Sequence, residues 1–188
     1  MTELRPVPPR PGPGAPKARL DEILRVDHAG EVAAVQIYRA QAAVFGASPA
    51  KAGIAGRMKA MGEQEADHLA AFEALLSANN TRPSLLSPLW RAAAFALGAG
   101  TALRGEKAAH ACTEAVESVI EQHYARQVEE LAGREPELAA TLSRFRDDEL
   151  EHQVEAVEQG AREAPAHALL TAAIRAGCRA AIKTAEKI

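Results

Sequence analysis

The chain has 188 residues, a formal net charge of −3 and 47% hydrophobic residues, with aromatics at only 4%. That length suits one domain with a core of its own, and the charge balance excludes a basic field for nucleic acid. Ala and Leu dominate and β-branched runs are nearly absent, which is a helical composition. Cys112 and Cys178 lie far apart in no C-x-x-C, which fits a reducing compartment. The N-terminus lacks the apolar core of a signal peptide, so a bacterial cytoplasmic protein is the simplest reading.

Residues 1–17 carry Pro6, Pro8, Pro9, Pro11, Pro13 and Pro16, a density that forbids a helix interior or central strand. They are expected to form a disordered arm ahead of a single domain over 18–188. The first helix is expected over about 18–45, with an inward stripe of Leu20, Leu24, His28, Glu31, Val35, Tyr38, Ala42 and Phe45. Gly30 beside Glu31 costs this helix about 1 kcal/mol relative to Ala. After the break at 46–49, a second helix runs to about 78 on Ile54, Met58, Met61, Glu65, His68, Phe72 and Leu75. Asn79 to Pro83 ends it.

Residues 92–103 form an uncharged run of twelve, about 18 Å as a helix, against the roughly 20 apolar residues a spanning helix needs. The segment therefore does not span a bilayer. It either lies in an interface, with Trp90 and Arg91 at the headgroup level, or crosses the bundle as a buried connection. A third long helix is expected from about 103 to 131 on Leu103, His110, Thr113, Glu117, Ile120, Tyr124, Val128 and Leu131. Glu114 and Glu121 should face water. A fourth, over about 137–159, shows Leu138, Leu142, Phe145, Glu149, His152 and Ala156, with Gly160 as cap. The last covers about 166–187, with Leu170, Ile174, Gly177, Ala181 and Ile188 on its apolar side. Its row Arg175, Arg179, Lys183 is either a solvated edge or a contact for anionic lipid.

The chemistry concentrates in two Glu-x-x-His stretches, Glu65…His68 and Glu149…His152. Positions i and i+3 share a helix face, so each pair presents an oxygen and a nitrogen to one point. Each pair follows a lone Glu on the preceding helix, Glu31 and Glu117, so the two halves echo each other. By number alone the pairs are close to chance; their place on apolar stripes carries the reading. Four carboxylates converging in a core must be neutralised by protons or metal. Carboxylates with two imidazoles suit iron or manganese. The expected fold is all-α: a ferritin-like antiparallel four-helix bundle with a crossover segment and an extra C-terminal helix. His28, one turn before Glu31, and His123 are candidates to support the cluster, and Tyr124 lies on the Glu117 stripe within reach of a ligand or substrate. His110, Cys112 and Cys178 read as core residues.

The chain resembles the demethoxyubiquinol hydroxylases, membrane-associated di-iron monooxygenases of ubiquinone synthesis. Arg25-Val26-Asp27-His28-Ala29-Gly30-Glu31 with Ile37-Tyr38 and Gln41 looks like that family's opening motif. The likeness continues through Glu65-Ala66-Asp67-His68-Leu69, Ala111-Cys112-Thr113, Ala115-Val116-Glu117, His123-Tyr124 and Phe145 to His152, and ends at Ala176-Gly177-Cys178-Arg179. Ala40 departs from the pattern, where Gly is expected. The resemblance implies two iron ions: Glu31 and His68 on one, Glu117 and His152 on the other, Glu65 and Glu149 bridging. It also implies His123 and Tyr124 beside the site, a polyprenyl quinol substrate, O₂, and a lipid-binding accessory protein. The enzyme would sit peripherally on the cytoplasmic face of a bacterial inner membrane, touching it through 88–103 and the last helix. A ferritin-like ferroxidase and a non-enzymatic membrane-surface protein are the rivals. No G-x-G-x-x-G is present, so the reductant is not written in the sequence.

Overall fold

A computed structural model describes residues 16–188. Six α-helices follow one another: α1 (Pro16–Gly46), α2 (Ala52–Ala78), α3 (Ser87–Leu103), α4 (Glu106–Leu131), α5 (Pro136–Glu158) and α6 (His167–Ala185). No strand occurs among the described residues. Most of the proposed N-terminal arm, 1–15, lies outside the described residues. Pro16 and Lys17 belong to α1, where proline in the first turn loses no hydrogen bond.

Helices α1 and α2 pair as one hairpin and α4 and α5 as another. Side-chain contacts close the four into a bundle, with Tyr38 of α1 on Glu117 of α4 and His68 of α2 on Asp148 of α5. Below the level of the glutamates, Ile23, Leu24, Phe72, Tyr124, Leu142 and Phe145 pack together. Above it, Tyr38, Phe45, Ile54, Met58 and Met61 form a second cluster. The polar level is therefore sealed by apolar layers at both ends.

α3 packs along α1, and α6 packs along α4. The repeat thus extends over three helices per half, and the expected crossover segment and extra C-terminal helix are each other's counterparts. They meet over the α1/α4 face, where Ala94 and Leu97 of α3 join Leu170 and Ile174 of α6 above Ile37, Cys112 and Val116. The amide of Leu85, just before α3, bonds the carbonyl of Ile188 at 3.4 Å. Gly98 permits the close approach of α3: a Cβ there would overlap the Ile37 backbone carbonyl.

Four local expectations need correction, and one open alternative, the place of Trp90, is decided. Leu103 is 75% exposed, because the chain breaks at Gly105 (φ 117°) and α4 begins after it. Glu114 is buried, facing His167 Nε2 of α6 at 2.6 Å, with Arg175 at 3.7 Å. Arg175 accordingly leaves the basic row and donates to Ser118 at 3.0 Å, while Arg179 and Lys183 stay exposed. Gly177 is exposed rather than part of the docked side. Trp90 packs inward on Val26, Ala29, Ile182 and Ala185 instead of standing out from the surface.

Candidate metal centre

Six side chains reach one level of the bundle: Glu31 from α1, Glu65 and His68 from α2, Glu117 from α4, Glu149 and His152 from α5. All are buried. His68 Nδ1 lies 3.7 Å from Glu31, 3.6 Å from Glu65 and 3.4 Å from Glu149. His152 Nδ1 lies 3.0 Å from Glu65 and 3.7 Å from Glu149. Two groups result, each with one ligand atom per residue lying within 4.8 Å of the others: Glu31, Glu65, His68, Glu149, and Glu65, Glu117, Glu149, His152. Glu65 and Glu149 belong to both.

The donor atoms aimed inward have no hydrogen-bond partner. Glu31 Oε2, Glu117 Oε2, both oxygens of Glu65 and Glu149, and Nδ1 of both histidines are buried and, apart from contacts with one another, unpaired. Orphaned polar atoms are costly singly; gathered at one point they fit a cationic group. Oxygen and imidazole donors in this ratio, with no thiolate among them, suit iron or manganese.

The electrostatics agree. Burial pushes the Glu31 carboxyl well above its usual range, helped by the charges of Glu65 and Glu149. Burial does the same to Glu117, with the same two neighbours adding. Burial opposes charge on Glu65 too, yet contact with His152 and His68 holds it down to about 2. The imidazoles resist their own desolvation: contact with Glu149 and Glu65 raises His68 to about 11 and His152 to about 10. Without metal, His68 and His152 therefore keep their protons at neutral pH, and Glu31 and Glu117 hold theirs to higher pH than ordinary carboxyls do, so protons supply positive charge where a metal would otherwise bring it.

A ring of partners orients the six. Tyr38 donates to Glu117 Oε1 at 2.6 Å, and Tyr124 donates to Glu31 Oε1. His68 Nε2 is held by Asp148 Oδ2 at 3.0 Å, and His152 Nε2 by Gln64 Oε1 at 3.1 Å. Each half thus holds the other half's ligands in place. Tyr124 reaches the cluster as expected. His123 does not: Gln127 Nε2 donates to it at 2.9 Å and to Asp27 Oδ1 at the same distance. His28 is also buried, its pKa lowered by burial, with Glu73 as its charged neighbour rather than the cluster. Tyr38, Asp148 and Gln64 escape a reading of the sequence alone. Their signals are positional: Tyr38 follows Glu31 by the seven residues that separate Tyr124 from Glu117, and Gln64 and Asp148 directly precede the shared glutamates.

Fold and site together define a class: an all-helical bundle whose core gathers carboxylates and imidazoles into two overlapping groups able to hold metal. Within that class, the chain belongs to the family described as ubiquinone biosynthesis protein COQ7, whose model matches residues 18–185. It is 49% identical over 178 residues to a 3-demethoxyubiquinol 3-hydroxylase of Rhodospirillum rubrum, covering 95% of this chain and 82% of that protein. It is 45% identical over 175 residues to the mitochondrial NADPH-dependent 3-demethoxyubiquinone 3-hydroxylase of Mus musculus, covering 91% and 79%. A mitochondrial 5-demethoxyubiquinone hydroxylase of Saccharomyces cerevisiae is 41% identical over 189 residues, covering 93% and 80%.

Proposed function

We propose that this chain hydroxylates the ring of a polyprenylated demethoxyubiquinol with O₂, a late step of ubiquinone synthesis, at a pair of iron ions. The observation that carries the reading is the sharing of Glu65 and Glu149 between the two ligand groups. Glu31 and His68 would hold one ion and Glu117 and His152 the other, with Glu65 and Glu149 available to both. When bound and reduced, the iron pair supplies the activation of O₂. The balance is a ring C–H converted to C–OH, the second oxygen atom leaving as water, with two electrons and two protons from outside the chain.

The chain's own residues do the positioning. The Tyr38 and Tyr124 hydroxyls fix one oxygen of each terminal glutamate and leave the other aimed inward. Asp148 and Gln64 lock the imidazole planes so that Nδ1 faces the centre. Phe72, Phe145 and Met61 close the level above and below and exclude water. The helical unit 18–188 acts as one domain.

A lipid-tailed substrate requires a membrane surface. No helix among the described residues is long and apolar enough to cross a membrane. The outer faces of α3 and α6 expose Leu89, Phe95, Leu103 and Leu169, with Arg91, Arg179 and Lys183 also exposed. That apolar, basic-edged surface suits peripheral contact with an anionic leaflet, and the setting proposed for it is the cytoplasmic face of a bacterial inner membrane. The same surface suits a lipid-presenting accessory protein. The test is a single turnover of reduced, iron-loaded protein with a short-tailed demethoxyquinol and ¹⁸O₂. Gain of one labelled atom on the ring is expected; iron oxidation with an unchanged ring would replace the reading by that of a ferroxidase.

A further inference from the structure

Backbone symmetry gives the two histidines equivalent places, and the side chains behind them differ. His68 Nε2 meets a carboxylate, Asp148 Oδ2 at 3.0 Å; His152 Nε2 meets a carboxamide, Gln64 Oε1 at 3.1 Å. Both partners sit one residue before a shared glutamate, so the halves match position for position and differ in charge. A second difference lies four residues before each shared glutamate. Phe145 stacks on the His68 ring at 4.0 Å between centroids, whereas the matching residue of the other half is Met61. His152 has instead an edge contact with Tyr38 at 6.0 Å.

The geometry points to two inequivalent metal positions, with Asp148 and Gln64 as the positioning residues that set the difference: the Glu31/His68 position binds divalent metal first and more tightly than the Glu117/His152 position. A carboxylate accepting the outer N–H draws the proton from the ring, and the inner nitrogen becomes a stronger donor. A carboxamide accepts the same hydrogen bond without that charge. Phe145 adds rigidity by fixing the ring plane of His68, so less order is lost on binding. The inference rests on the dimetal reading given above and adds an order of filling to it.

The test uses the full chain, stripped of metal and titrated anaerobically with Fe²⁺ in a calorimeter. Glu117→Ala leaves the Glu31/His68 position, and Glu31→Ala leaves the other. Glu117→Ala is expected to bind at least roughly tenfold more tightly than Glu31→Ala. Adding Asp148→Asn to Glu117→Ala should weaken it about 10- to 100-fold, with Asp148→Glu restoring most of the loss. Gln64→Glu added to Glu31→Ala should tighten the weaker position. Asp148 is partly exposed, so its variants should keep the parent melting temperature and helical signal. Equal affinities, a reversed order, or indifference to Asp148→Asn would overturn the inference while leaving the dimetal reading standing. No uptake by the unsubstituted chain would overturn both.

Discussion

The halves α1–α3 and α4–α6 place the same residues at the cluster and different residues around it. Glu31 matches Glu117, Glu65 matches Glu149, His68 matches His152, and Tyr38 matches Tyr124. One step outward the match fails. Six residues after the lone glutamate stands buried Ile37 in one half and partly exposed His123 in the other. Four residues before it stands Asp27 in one and Thr113 in the other. His123, Asp27 and Gln127 form a polar group between α1 and α4, whereas Ile37, Cys112 and Ile174 make the face under α3 and α6 apolar. Pairing the helices about an approximate two-fold brings the six donors together, and residues outside that set are free to make one side polar and the other apolar.

The comparison breaks most sharply at the shared residues. Glu65→Ala or Glu149→Ala removes a donor from both groups and should abolish bound iron and turnover together, while Glu31→Ala or Glu117→Ala should retain part of the iron; metal analysis beside a turnover assay distinguishes them. Next comes pH. Because burial raises Glu31 and Glu117, and Glu149 and Glu65 raise His68 to about 11 and His152 to about 10, metal must expel protons that ordinary carboxylates have already lost. Affinity should climb with pH through about 6–8 by more than tenfold per unit, each released proton adding a factor of ten. A plateau above about pH 7, where ordinary carboxyls and imidazoles have lost their protons, would contradict the raised values.

The tyrosines sharpen the symmetry itself. Tyr38→Phe and Tyr124→Phe each strand a buried glutamate oxygen, and each should cost the metal-free protein about 1–3 kcal/mol in chemical denaturation. Unequal costs would show that the halves diverge at the cluster and not only around it. The smallest effect on stability belongs to the outer faces. Phe95→Glu and Leu169→Glu should move stability by no more than about 0.5 kcal/mol, yet weaken sedimentation with anionic vesicles.

The six cluster residues were legible because helical periodicity makes a glutamate on an apolar stripe conspicuous without any knowledge of its neighbours. Glu114 was misread for the converse reason: its partners, His167 and Arg175, lie on α6, and nothing local announces them. Tyr38, Asp148 and Gln64 were missed because their roles depend on the register between helices, which sequence spacing along one helix does not set. The start of α4 was misplaced because the apolar run continues to Leu103 while the backbone turns at Gly105. Resemblance supplied the substrate, and the packing of α3 on α1 and α6 on α4 supplied what resemblance did not, a repeat of three helices rather than two.

The most direct test of the centre is an anomalous-scattering map, at the iron edge, of crystals loaded with Fe²⁺ without oxygen. Two peaks are predicted, one between Glu31 and His68 and one between Glu117 and His152, both within bonding distance of Glu65 and Glu149. A single peak, or iron bound away from the shared glutamates, would contradict the account.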